Sequence, residues 1–176
     1  MNRLIPSLLI VSLGLARDAH AAASIAIEAG HGDATDMEQL SYVHPWDSQW
    51  FTDGNWYLTG YWEASIGRLR SSATGGQDIW DFGLTPVFRF RNRASSGIRP
   101  YFEAAIGAHI LDHTHVDKSR DLGSAFQFGD HLGAGMLFGE RGQFDLGYRF
   151  QHVSNADIKR PNDGINFQQI RFAWQF

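Results

Sequence analysis

The stretch Phe144-Asp145-Leu146-Gly147-Tyr148-Arg149-Phe150-Gln151-His152-Val153-Ser154 changes side-chain character at every step. Phe144, Leu146, Tyr148 and Phe150 recur with a period of two, which places them on one face of a strand. Counting on by two puts His152 and Ser154 on that same apolar face. A base and a potential nucleophile therefore share a greasy stripe. In a water-soluble fold this stripe would be core; in a membrane barrel it would face lipid. The rest of the chain decides between the two.

The same alternation recurs along the sequence. It predicts strands over 24–30, 37–44, 56–68, 78–90, 99–111, 124–138, 143–154 and 165–176, with loops between them. Trp80, Phe82, Leu84, Phe88 and Phe90 share a face opposite Asp81, Gly83, Thr85 and Arg89. Phe126, Phe128, Leu132, Ala134, Met136 and Phe138 do the same opposite Gln127, Gly129, His131, Gly133 and Gly135. The last segment ends on an alternating Ile170, Phe172, Trp174 and Phe176, similar to the closing strand of bacterial outer-membrane barrels. Eight segments of about ten residues with dyad alternation are what transmembrane strands require. The reading is all-β, an eight-stranded antiparallel transmembrane β-barrel of the outer membrane. An even strand count brings both termini to the periplasmic side, with short turns there and longer loops outside. The segment 45–55, rich in Trp, Asp and Gly, breaks that length rule. A soluble sandwich or lipocalin-like barrel would use the same alternation with the aromatic face buried.

Composition agrees with the membrane reading. Arg3 followed by an apolar run to Ala16, and the small-residue sites Ala19-His20-Ala21 and Ala21-Ala22-Ala23, mark a secretory signal peptide over 1–23. Residues 24–176 then form a single barrel domain. There are no cysteines, so an exported fold must be held by a core or by a closed sheet rather than by disulfides. The formal net charge is −4 and becomes more negative once a leader with two arginines and one aspartate is removed, which argues against nucleic acid as a partner. Eight strands leave an interior that side chains just fill. Glu28, Glu63, Asp81, Arg89, Glu103 and Arg149 are therefore expected to pair inside the lumen, and a diffusion pore is not expected.

With the aromatic face outward, His152 and Ser154 stand at the extracellular end of their strand, facing lipid. An imidazole two residues from a serine on one strand face can take the hydroxyl proton while the oxygen attacks an acyl carbon. An oxyanion donor is also needed, from the Asn155 side chain or from loop amides. A polar pair on a lipid-facing stripe carries a desolvation cost and calls for partners. At headgroup level the accessible substrate is a membrane lipid, and this chemistry needs no cofactor.

At these residues the chain resembles a known family. His152-Val-Ser154-Asn155-Ala156, then Pro161-Asn162-Asp-Gly164, together with the Trp-rich third segment, Pro86-Val-Phe-Arg89 and Phe126-Gln-Phe-Gly-Asp-His131, are similar to the PagL family of outer-membrane lipid A 3-O-deacylases. The resemblance implies hydrolysis of the ester-linked 3-hydroxyacyl chain at position 3 of lipid A within lipopolysaccharide. It implies His152 as base, Ser154 as nucleophile and Asn155 at the oxyanion site. The family's third catalytic residue is a Glu, and its position is Asn166 here. Asn166 shares the outward parity of Ile170 and Phe172 but carries no charge, so three explanations stay open: a weakened enzyme, a substitute acid such as Asp163, or an altered or engineered residue. Asp157 stands where the family often has Gly, beside a backbone amide that serves the oxyanion.

Lys118, Arg120, Lys159 and Arg160 lie in the two loops flanking the pair, where they could meet lipid A phosphates or remain solvated. His109, Asp112, His113 and His115 are ligand-type residues within a short span, but without a second cluster they read as loop side chains and no metal is assigned. Two other functions fit the same barrel: a non-catalytic structural or adhesion barrel, and a different lipid-active barrel such as a palmitoyltransferase. A monomer and a homodimer are both compatible with the sequence.

Overall fold

The computed structural model describes residues 22–93 and 97–176; the expected signal peptide lies outside the described residues up to position 21. Ten strands follow in order: β1 (Ser24–Gly32), β2 (Thr35–Pro45), β3 (Trp56–Ser71), β4 (Asp78–Asn92), β5 (Arg99–Leu111), the short β6 (His115–Asp117) and β7 (Arg120–Asp121), then β8 (Phe126–Phe138), β9 (Phe144–Ser154) and β10 (Ile165–Gln175). The eight long strands close into an antiparallel barrel, and β10 returns to pair with β1 from Ser24↔Gln175 to His31↔Gln168. Closure leaves no free sheet edge.

Exposure settles which side the aromatics face. Leu132 is 68% exposed, Ile106 65% and Phe102 60%, whereas the charged Glu28, Glu63, Glu103, Arg149 and Arg171 are buried. The barrel is apolar outside and polar inside, as a lipid-facing barrel must be.

Several boundaries differ from the sequence expectation. The loop expected over 31–36 shrinks to two residues, because Gly32 still pairs with Thr35. Asp33 and Ala34 form the turn with φ of 51° and 56°, the pair of positive φ values that a two-residue type I′ hairpin needs. The loop expected over 112–122 contains the β6–β7 hairpin. The long segment after β2 folds back on the barrel wall: Trp46 N–H donates to Gly60 O at 2.9 Å, and Trp50 and Leu58 exchange both backbone bonds at 2.9 Å. Trp46 packs edge-on against Phe88 and Trp62. This segment is long because it builds part of an aromatic girdle near the end that holds the termini.

The waist of the lumen is a closed ion network. Arg149 donates to Glu103 at 2.7 Å, Glu28 at 2.8 Å, Glu63 at 2.9 Å and Tyr61 at 2.8 Å. Arg89 bridges Glu103 at 2.7 Å and Asp145 at 2.8 Å. Arg171 reaches Asp145 at 2.9 Å and Glu63 at 3.3 Å. Asp81 pairs with the buried His109 at 2.9 Å. The expected luminal pairing is present, and Asp145 and Arg171 complete it. Above the waist apolar residues join the buried Thr35, His109, Gln127, Gln151 and Gln169. Met37, Leu69, Ile79, Leu111, Val153, Ile165 and Phe167 gather around Val116 and Leu122 of the β6–β7 region and plug the mouth.

Removing one partner from such a buried network leaves the others charged and unpaired, which costs about 3–5 kcal/mol. Arg149→Ala is expected to lose stability on that scale, read as urea unfolding followed by tryptophan fluorescence in detergent micelles. A loss below about 1 kcal/mol would show that the waist does not hold the barrel.

Candidate active site

The register of β9 and β10 sets His152 directly opposite Asn166. Both have outward parity, so they form a cross-strand pair of near neighbours. His152 Nδ1 lies 2.9 Å from Asn166 Oδ1. With the amide oxygen as acceptor, Nδ1 carries the proton and Nε2 keeps its lone pair. Ser154 follows on the same face of β9, half-buried like His152. No hydrogen bond joins their side chains among the described residues; the imidazole has the reach to make one across an i, i+2 spacing.

The Pro161-Asn162-x-Gly164 segment shapes this pair from beneath. Gly164 has φ of 61°. A Cβ placed on it would meet His152 Cε1 at 2.9 Å, so the imidazole occupies space that only glycine leaves free. Asn162 Oδ1 accepts the backbone N–H of Asn155 at 2.9 Å.

Asn155 itself is used differently from the expectation. Its side chain is fully buried, and its Nδ2 donates to Leu122 O and to Lys159 O, each at 2.7 Å. Both amide hydrogens are consumed, so this side chain staples the loop 155–164 to the plugged mouth and has none left for an oxyanion. Ala156 and Asp157 both have positive φ, 52° and 61°. Their backbone N–H groups have no partner among the described residues. The positive φ at Asp157 explains why a glycine suits that position, and an aspartate is among the residues that tolerate it.

The suggested substitute acid is also engaged elsewhere. Asp163 Oδ2 accepts the N–H of Asp121 at 2.8 Å, which ties the loop to β7. A different carboxylate stands behind Asn166. Asp33, from the β1–β2 turn, accepts the backbone N–H of Asn166 at 2.8 Å and lies 3.4 Å from its Nδ2. Sequence reading missed it because a turn far away in the chain gives no local signal.

Asp130 was also missed, although parity could have found it. It sits between Phe128 and Leu132 on the outward face of β8 and pairs in register with His152. Beside it runs an outward groove of about 650 Å³, lined among others by Pro86, Ala104, Ile106, Leu132, Phe150 and His152. Pro86 has no N–H to give, and the β4–β5 ladder skips from Leu84↔Ala108 to Val87↔Ala105 there.

The four basic loop residues do not form one cluster. Arg120 Nη1 donates to Asp33 O at 2.6 Å. The β6–β7 hairpin carries Lys118 towards the β3–β4 loop, where its N–H meets Thr74 O at 3.3 Å. Asp117 in the same hairpin accepts from Ser119 Oγ and N, which holds its carboxyl below the usual carboxylate range. Lys159 and Arg160 remain exposed. The histidines also diverge: His109 is buried on Asp81, while His113 and His115 lie outside near Asp112 and Asp121.

A family model described as lipid A 3-O-deacylase (PagL) matches residues 38–175. A lipid A deacylase PagL of Bordetella bronchiseptica is 36% identical over 157 residues, covering 86% of this chain and 83% of the relative. One of Pseudomonas aeruginosa is 34% identical over 168 residues, covering 94% of each. A crystal structure of the outer membrane enzyme PagL superposes with a TM-score of 0.77 at 30% identity, over 87% of this chain and 99% of that one. The N-terminal β-barrel domain of Pseudomonas aeruginosa OprF, at 13% identity and a TM-score of 0.50 over 89% of this chain and 98% of that one, shares the barrel fold.

Losing the Asn155 staple leaves two carbonyls unpaired, at about 1–3 kcal/mol of local stability. Asn155→Ala is expected to expose the loop 155–164 to protease while the barrel stays folded, read by limited proteolysis with mass mapping. An unchanged cleavage pattern would remove the staple assignment.

Proposed function

The chain belongs to the lipid A 3-O-deacylase (PagL) family, and from that premise we propose that it cleaves the ester-linked 3-hydroxyacyl chain at position 3 of lipid A, using a lipid-facing Ser–His site. The observation that carries this reading is the placement of His152, Ser154 and Asn166 on the outer face of the barrel, next to the apolar groove. That face meets the outer leaflet of the outer membrane, where lipid A resides.

In this mechanism Asn166 Oδ1 holds Nδ1–H, so His152 Nε2 takes the proton from Ser154 as its oxygen attacks the ester carbonyl. The negative oxygen of the tetrahedral intermediate is met by the unpartnered N–H groups of Ala156 and Asp157. His152 then returns the proton to the leaving sugar oxygen, giving an acyl-enzyme. Water, deprotonated by the same imidazole, attacks the acyl-enzyme; the imidazolium passes that proton to Ser154 Oγ as its ester bond breaks, and the 3-hydroxy acid leaves. The groove falls within the size range of sites that hold lipid-sized or drug-sized ligands, about 300–1,000 Å³. It suits a long apolar chain, and Asp130 at its His152 end can accept the chain's 3-hydroxyl.

An amide at position 166 orients the imidazole but cannot stabilise the imidazolium as a carboxylate does. That missing charge marks Asn166 as belonging to a slower enzyme than one with a carboxylate there. The exposed Lys159 and Arg160, in the loop after Ser154, can meet lipid A phosphates, as can the exposed Lys118 near the β3–β4 loop, while Arg120 is held on the Asp33 carbonyl.

Mass spectrometry of lipid A from cells expressing the chain tests the reading. Loss of one 3-hydroxyacyl mass is expected. Ser154→Ala should abolish it, since removing a catalytic serine costs on the order of 10⁶ in turnover. Asn166→Glu should raise turnover. If none of the three changes lipid A although each is folded in the membrane, the barrel is not a deacylase.

A further inference from the structure

We propose that Asp33 is a positioning residue for this site: it holds the Asn166 amide with its oxygen towards His152 and thereby sets the tautomer of the imidazole. The inference rests on His152 acting as the base, as in the function proposed above.

The problem it solves is specific to an asparagine third member. A carboxylate presents an oxygen to the imidazole in either orientation. A carboxamide has an oxygen end and an NH₂ end of nearly the same shape. With the oxygen facing His152, Nδ1 must carry the proton and Nε2 can accept one from Ser154. With the NH₂ facing it, Nδ1 must accept, the proton moves to Nε2, and the imidazole can no longer act as base. An imidazole held in the wrong tautomer is how an Asp→Asn change disables a serine protease.

Here the choice is biased from behind. Asp33 Oδ2 lies 3.4 Å from Asn166 Nδ2, and the backbone N–H of Asn166 fixes that carboxylate oxygen at 2.8 Å. A carboxylate only accepts, so the NH₂ end of Asn166 is favoured on that side. Turning the amide over would set its oxygen against the carboxylate and lose a charge-assisted bond. The resulting order is carboxylate, amide N–H, amide oxygen, imidazole Nδ1–H, lone pair on Nε2. Each donor meets an acceptor.

Asp33 is itself held in place. It sits in the two-residue turn at positive φ. Its carbonyl accepts from Arg120 Nη1 at 2.6 Å and from Thr35 Oγ1 at 3.4 Å, and Arg120 Nη2 lies 4.0 Å from its Oδ1. The turn, β7 and the start of β10 meet at this one residue.

The test measures kcat and KM of the full barrel in detergent on purified lipopolysaccharide, alongside ¹⁵N NMR of the His152 ring. Asp33→Ala puts a second alanine beside Ala34 in the positive-φ turn, and Asp33→Asn keeps a residue type that visits that conformation routinely. Asp33→Ala should lower kcat about ten- to a hundredfold, the worth of a hydrogen bond to a charged group, with KM unchanged. The ring should shift from the Nδ1–H towards the Nε2–H tautomer. Asp33→Asn can still offer an oxygen and should fall between. In the Asn166→Glu background no wrong orientation exists, so Asp33→Ala should leave kcat unchanged or raise it by removing a like charge. Equal losses in both backgrounds would make Asp33 a fold residue only and overturn the proposal, as would an unchanged tautomer in Asp33→Ala. If both the native chain and Asn166→Glu leave lipopolysaccharide intact, the deacylase reading fails, and the tautomer measurement still decides the role of Asp33.

Discussion

Three guanidinium groups and four carboxylates share the waist of an eight-stranded barrel, and the rest of the molecule follows from that. The period of two forces every residue of one parity outward and every residue of the other inward. Once the outward face is given to Phe, Leu, Ile and Trp, the polar residues have nowhere to go but a lumen just wide enough for them. Arg89, Arg149 and Arg171 there meet Glu28, Glu63, Glu103 and Asp145, with Tyr61 and Tyr101 filling remaining acceptor and donor positions. The space left beside the network, about 120 Å³, is smaller than the roughly 300–1,000 Å³ of sites that hold drug-sized ligands. Chemistry on this scaffold therefore belongs on the outer wall or in the loops.

The mouth of the barrel ties those loops to the core. An apolar cluster of inward residues at the outer ends of the strands closes over Val116 and Leu122. Leu122 turns its carbonyl to Asn155, and Asn155 holds Lys159. The chain immediately after Ser154 is thus anchored to a buried cluster rather than free in solvent. Gly164 then brings the returning chain under the imidazole. A site on a membrane barrel needs this, because lipid molecules are mobile neighbours and cannot order a loop.

An amide at position 166 also sets the electrostatics of a surface in contact with lipid. A charged group next to hydrocarbon is costly unless paired, and a carboxamide is less so. Behind Asn166 a negative charge is carried by Asp33, which Arg120 faces. The contact of His152 Nδ1 with Asn166 Oδ1 orients the imidazole without setting a charge beside it.

Fold class and the outward placement of His152, Ser154 and Asn166 were legible in the sequence, because strand parity is a local, periodic property that survives any particular packing. Asp130 was legible for the same reason, standing on the outward stripe between Phe128 and Leu132. The motif also marked Asn155, Asn162 and Gly164 as important, but not what for. Their roles depend on which groups their polar atoms meet, and Leu122 and His152 reach them only through the folded loop and strand register. Asp33 carries no pattern at all: it is a turn residue brought to Asn166 by closure of the first strand on the last. The sequence by itself determined which way each side chain of a strand faces, since alternation is set by backbone geometry. Tertiary structure alone decided which of those groups touch, since barrel closure and loop docking join residues that no spacing in the chain relates.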